Sequence, residues 1–193
     1  MNNLWLETIS EHLGVINLLA ENKESIDGLQ RIAEIMVEAY RSGGKLLICG
    51  NGGSAADAQH IATEFVSKFL KERRALDAEA LTTNTSCLTA IGNDYSFEHV
   101  YARQVEAKGR KGDVLIGIST SGNAKNVIEA VKKAKEIGMK TIALTGNNKK
   151  SQLCVHADHS INIPSSSTPR IQEAHIMVGH MICDHIEKNI FKG

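Results

Sequence analysis

The sequence predicts an α/β fold: a three-layer α/β/α sandwich on a parallel, five-stranded, flavodoxin-like sheet, entered through N-terminal amphipathic helices. Three observations carry this. The short, almost wholly apolar runs KLLIC (45–49), DVLIGI (113–118) and KTIAL (140–144) read as strands covered on both faces. Each leads into a turn of small polar residues and then a helical pattern, and that alternation argues for βαβ units and a parallel sheet. Ahead of the first strand, some forty residues carry apolar side chains at helical rather than strand spacing.

In chain order, residues 3 to 20 place Leu6, Ile9, Leu13, Ile16 and Leu19 on one helix face, and residues 24 to 42 repeat the pattern with Ile26, Leu29, Ile32, Ile35, Met36 and Tyr40. Gly43 and Gly44 stop the second helix. KLLIC follows, then a glycine-rich turn and the helical stretch that holds His60 and Glu64. EALTT (79–83) is a weaker strand. DVLIGI leads through STSGN into the helix AKNVIEAVKKAKEIG, and KTIAL leads through TGNNKKS into a shorter helical piece. HSINIP (159–164) is the fifth strand. The only two prolines, Pro164 and Pro169, punctuate the loop before a final helix over 169–190. No linker or low-complexity stretch divides the chain. Residues 1–193 read as a single domain, with 1–43 supplying helices for packing and oligomerisation and 44–193 the α/β core and C-terminal helix.

Composition excludes several function classes. The 22 basic and 22 acidic residues cancel and are scattered, so no long-range field favours nucleic acid or an anionic membrane. No run reaches the roughly 18 apolar residues needed to span a bilayer, and the N-terminus lacks the basic and apolar regions of an export signal. Cys49, Cys87, Cys154 and Cys183 are widely spaced and form no CxxC pair, as expected of free thiols in a reducing compartment. The expectation is a soluble, cytoplasmic protein.

The chemistry concentrates in three places. In CGNGGSAADAQHIATEF (49–65), Gly50, Gly52 and Ala55 fit a dinucleotide-type turn at a helix N-terminus. The second strand offers no acidic residue to hold a ribose, and no Gly-Lys-Ser/Thr follows, so neither a dinucleotide nor a Walker site is expected. In the second loop, Ser119, Thr120 and Ser121 gather three hydroxyls at a strand's C-terminal end, where open α/β sheets bind ligands. One such loop is as readily an ordinary N-cap; two in one sheet point to a small phosphorylated ligand. The third place is a set of donors. His60 and Glu64 share a helix face at i and i+4. With that helix starting near Ser54, His60 lies roughly 9 Å along its axis, a span comparable to a phosphosugar of five to seven carbons. On the last helix, Gln172 and His180 lie within about 80° of each other by rotation. Together the four form a candidate two-His, one-carboxylate, one-amide metal site suited to Zn²⁺. His175 and His185 lie elsewhere on that helix and are read as structural.

GNGGSAADAQH, AIGNDY, RQVEA, GDVLIGISTSGN, ALTG and RIQEAHIMVGHMICDHIE, in this order and spacing from about residue 40 onward, closely resemble the phosphoheptose isomerases of the sugar-isomerase (SIS) fold. The resemblance implies isomerisation of sedoheptulose 7-phosphate to D-glycero-D-manno-heptose 7-phosphate through an enediolate, toward heptose for bacterial lipopolysaccharide core or capsule. It implies a homotetramer with active sites between subunits and one Zn²⁺ per subunit on His60, Glu64, Gln172 and His180. Glu64 and His180 would be the acid/base pair. Sugar and phosphate contacts would fall on Asn51, Gly52, Gly53, Glu64, Asn93, Asp94, Ser119, Thr120, Ser121 and Gln172. Two departures stand out: Ala124 replaces a serine of many relatives, and TGNNKKS replaces a glycine-rich turn. The alternative from another class is a noncatalytic SIS regulator resembling the DnaA-binding replication initiation factor. That protein lacks the glutamate matching Glu64, so the residues here favour the enzyme.

Overall fold

A computed structural model describes residues 3–191. The chain opens with α1 (Leu4–Glu21) and α2 (Lys23–Arg41), joined by a single residue. Asn22 ends the first helix and caps the second, its side chain accepting from the Ser25 amide at 3.1 Å. Five strands follow: β1 (Leu46–Gly50), β2 (Ala78–Ala80), β3 (Val114–Ser119), β4 (Lys140–Thr145) and β5 (His159–Asn162). All four strand pairs are parallel, in the order β2-β1-β3-β4-β5. This is the expected flavodoxin-like sheet.

Between the strands run α3 (Gly53–Val66), α4 (Thr85–Asp94), a 3₁₀ turn (Phe97–His99), α5 (Ala102–Lys108), α6 (Lys125–Ile137) and α7 (Gln152–His156), and α8 (Thr168–Ile190) closes the chain. Side-chain alternation along the strands builds two cores. Leu46, Ile48, Val114, Ile116, Ile142 and Leu144 face the layer of α1, α2, α3 and α8. Leu47, Cys49, Leu115 and Ala143 face the layer of α5, α6 and α7. Both faces are covered, which is why the strands read as continuous apolar runs. Cys49 and Cys183 are buried free thiols whose pKa burial pushes up to about 12, so they behave as small core residues.

The structure departs from the sequence reading in two places. Of EALTT only Glu79 and Ala80 pair, in a strand that runs Ala78–Ala80; the Thr83 hydroxyl then donates to the Ala80 carbonyl at 3.0 Å and turns the chain. The segment after it, read as no particular element, forms α4 and α5. The first is capped by Asn84 on the Cys87 amide at 3.0 Å and contains no fully buried residue. Within the described chain the apolar stripe of α1 is covered only in part: Val15 and Leu19 are buried, and Trp5, Leu6, Ile9 and Leu13 are each more than half exposed.

His175 of α8 is fully buried, its Nε2 3.2 Å from the Thr145 carbonyl oxygen and its Nδ1 without a partner. Burial drives its pKa down from 6.5 to about 4, with the Thr145 bond opposing. For a histidine whose pKa is depressed on folding, stability is greatest above the unfolded value and falls as pH drops from that value toward the folded one, because there only the unfolded chain is protonated. Between pH 7.5 and pH 5, stability should therefore drop by about 2 kcal/mol on account of this residue. Denaturant unfolding of wild type and His175→Gln at both pH values checks it, the variant showing the smaller pH-dependent drop.

Candidate active site

In open α/β sheets, ligands sit outside the C-terminal strand ends where the strand order reverses. Here that point lies between β1 and β3, which are adjacent in the sheet and are followed by the two loops singled out by composition. In the first loop Gly52 adopts φ +56°, and a Cβ at Gly50 would lie 2.7 Å from the Ser54 carbonyl oxygen. Asn51 is fixed rather than free. Its carboxamide exchanges hydrogen bonds of 2.8 and 2.9 Å with that of Asn126, at the start of α6. The buried Tyr101 hydroxyl donates to the Gly50 carbonyl at 2.5 Å and to Asn51 Oδ1 at 3.3 Å. Desolvation holds this phenol well above its usual pKa, so it remains a donor.

The second loop forms the floor of a cleft of about 200 Å³, lined by Asn51, Ser119, Thr120, Ser121, Ala124 and Gln172. Gly122 (φ +67°) packs against the Ser151 side chain, where a Cβ would collide, and its carbonyl accepts from the Leu153 amide at 2.9 Å. Residues just before and within α7 thus brace the loop from behind. Ala124 is the N-cap of α6 and gives no side-chain cap, so the helix opens toward the cleft with unsatisfied amides and the positive end of its dipole. Hydroxyls and helix amides, with the adjacent Lys125 paired to Glu98 at 2.8 Å, suit a phosphate group of a small ligand.

The second cluster depends on how closely α3 and α8 cross. A Cβ at Gly179 would lie 2.7 Å from both Cγ1 and Cδ1 of Ile61, so only glycine permits this approach without displacing the buried isoleucine. The neighbours of these two residues are His60 and His180, and their Nε2 atoms stand 2.9 Å apart. Glu64 Oε1 is 3.3 Å from His60 Nε2. One donor atom from each of His60, Glu64 and His180 falls within 4.8 Å of the others. Two imidazole nitrogens and a carboxylate oxygen facing one point are a donor set that fits a divalent metal such as zinc. The Phe69 ring lies against His180, with centroids 5.6 Å apart.

Gln172, expected with this cluster, packs its carboxamide against Gly53 and lines the cleft. It lies roughly 12 Å along α8 from His180, between the hydroxyl loop and the imidazoles. Asn93 and Asp94 lie at the exposed end of α4, bonded to each other at 2.8 Å, and are not among the residues lining the cleft. Sequence reasoning missed Tyr101, Asn126, Phe69 and Gly179, whose roles arise only from tertiary contact. It also missed Asp57, one turn before His60, whose carboxyl is raised to about 6 by burial against the opposing pull of His60, and whose Oδ2 has no partner.

Gly179→Ala forces the two helices apart. The expected result is a loss of about 1–3 kcal/mol from overpacking and weaker divalent-metal binding, with Ile61→Val partly restoring both in the double variant. Thermal unfolding and metal titration of the three chains check it.

Residues 14–146 match the family model of the SIS domain. The chain is 52% identical to a phosphoheptose isomerase of Clostridium acetobutylicum, over 99% of this chain and 97% of the relative. Among solved structures it resembles a phosphoheptose isomerase from Neisseria gonorrhoeae, at 46% identity and a TM-score of 0.89, covering 95% of this chain and 96% of that one. It also resembles one from Francisella tularensis, at 34% identity and a TM-score of 0.91, covering 97% and 100%.

Proposed function

The chain belongs to the phosphoheptose isomerases of the SIS-domain family, and from that premise we propose that it interconverts sedoheptulose 7-phosphate and D-glycero-D-manno-heptose 7-phosphate. The observation that carries this is the pairing of a hydroxyl-lined cleft with the His60, Glu64 and His180 cluster, both served by α3 and α8. His60 lies roughly 10 Å along α3 from Gly53, a span that suits a phosphosugar with its phosphate in the cleft and its C1–C2 end at the cluster. The noncatalytic alternative has no support: Glu64 is present and stands beside His60.

Ser119, Thr120, Ser121 and the open end of α6 hold the phosphate in this reading. With alanine at 124, helix amides rather than a capping hydroxyl meet the phosphate oxygens there. Asn51, Gly52 and Gly53 let the sugar approach the backbone, Gln172 reaches it from α8, and Asn93 and Asp94 are assigned to its hydroxyls. Glu64 is the base that removes a proton from C1 of the ketose, and the C–H electron pair forms the C1=C2 bond of an enediolate. His180 donates a proton to the oxygen on C2. Return of a proton to C2 and loss of the O1 proton then leave the aldehyde at C1. His60, Glu64 and His180 would hold one Zn²⁺, which when bound supplies a Lewis acid that stabilises negative charge on the reacting oxygens, while Gln172, the fourth ligand the resemblance implies, rests against Gly53 here.

The proposal extends to a cytoplasmic homotetramer with active sites between subunits, serving heptose for lipopolysaccharide core or capsule. The exposed stripe of Trp5, Leu6, Ile9 and Leu13 supports assembly, since burial between copies would remove this apolar surface from water. No described helix is long and apolar enough to cross a membrane.

The zinc-loaded protein, incubated with sedoheptulose 7-phosphate, should yield the aldose. Glu64→Gln and His180→Gln should each lower kcat by about 10²–10⁴-fold, the ordinary contribution of a general acid or base. No heptose 7-phosphate from wild type, or full turnover in Glu64→Gln, would overturn the assignment.

A further inference from the structure

We infer that the buried Arg73–Glu187 ion pair is a positioning device for the acid/base pair, tying the end of α3 that bears Glu64 to the part of α8 that follows His180. This rests on the reading that Glu64 and His180 act on the sugar.

Glu187 comes seven residues after His180, so the two share a face of α8 within about 20°. Its side chain and that of Arg73 are only 3% and 2% exposed. One carboxylate oxygen accepts from Arg73 Nε at 3.0 Å and the Phe69 amide at 3.2 Å. The other accepts from the Leu70 and Lys71 amides, both at 2.8 Å. Burial pushes this carboxyl's pKa up, but the three amides and the guanidinium together outweigh it and hold the group below its usual range.

The remaining guanidinium nitrogens reach back to α3. Nη2 donates to the carbonyl of Glu64 itself at 2.7 Å, and Nη1 to the carbonyls of Phe65 and Ser67 at 2.9 and 3.1 Å. These groups lie at the C-terminal end of α3, where carbonyls lack amide partners within the helix and where Ser67, rather than glycine, ends it. Arg73 therefore caps the helix at the catalytic residue's own backbone. Glu187 acts on the other partner, because the amide it holds belongs to Phe69, whose ring lies against His180.

Stability alone does not explain such a pair. Two well-packed apolar side chains are often as stable in a protein interior as a buried ion pair, because the desolvation penalty of the charges offsets their attraction. Apolar residues could not hold the Glu64 carbonyl or the Phe69 amide, and those bonds set where the carboxylate and imidazole stand.

Two variants separate positioning from stability: Glu187→Gln, which keeps the shape and acceptor oxygen, and the apolar double variant Arg73→Met with Glu187→Leu. Each is assayed for kcat and KM with sedoheptulose 7-phosphate, for Zn²⁺ affinity by chelator competition, and for Tm. Expected for Glu187→Gln is a fall of roughly tenfold or more in kcat and in Zn²⁺ affinity, with KM within about twofold because the phosphate loop is untouched. The double variant leaves the Phe69, Leu70 and Lys71 amides and the Glu64 carbonyl without these partners, so it should lower Tm as well as show the low kcat and weak metal binding. Wild-type kcat and Zn²⁺ affinity in the double variant would overturn the inference. Should the double variant not fold, unchanged kcat and Zn²⁺ affinity in Glu187→Gln overturn it instead. Should wild type form no aldose, the proposed function fails, and the Zn²⁺ affinities still decide the positioning role.

Discussion

The close crossing of α3 and α8 is the constraint on which the rest depends. A parallel sheet of order β2-β1-β3-β4-β5 sends α3 and α8 to the same face, but sheet topology does not bring their side chains within bonding distance. The absence of a side chain at Gly179 lets Ile61 occupy the contact, and the residues beside those two are the imidazoles that meet. Everything chemical at this end of the molecule follows from an approach that one added methyl group would prevent.

The two ends of the site are built by different physics. At the sheet's switch point, ligand recognition comes from backbone geometry: positive-φ glycines, hydroxyls and the amide end of α6, with Asn51 fixed by Asn126 and Tyr101. At the far end of α3, chemistry comes from ionisable side chains held by helices and by buried charges behind them. The helix joins these ends at a fixed spacing, so a ligand is measured by length as well as by charge. Gln172, against Gly53, stands between them.

Much of this was legible in the sequence because its signals are local. A strand covered on both faces must be continuously apolar, which is why KLLIC, DVLIGI and KTIAL stand out, and His60 and Glu64 must share a face wherever residues 53–66 are helical. The helix at Thr85–Asp94 was not legible: Thr, Ser, Cys, Gly and Asn are indifferent helix formers, and no residue in it is fully buried to impose a period. The stripe on α1 was legible as a pattern but not as to what covers it, since periodicity does not say which surface, this chain's or another's, meets it. Arg73, Asn126 and Tyr101 gave no signal, because each acts on an atom distant in sequence or on a backbone group, and such bonds leave no spacing rule. Helical spacing put His60, Glu64 and His180 forward as donors of one candidate site, and the family resemblance supplied the acid/base roles of Glu64 and His180.

The central claim is that Glu64 moves a proton between C1 and C2 through an enediolate. Isomerisation in deuterated water, followed by NMR of the aldose, tests this most directly. Exchange of the abstracted proton with solvent should place deuterium at C2 of the product. Quantitative transfer of the C1 hydrogen to C2 with no deuterium incorporated would contradict it, and with it the role assigned to the carboxylate.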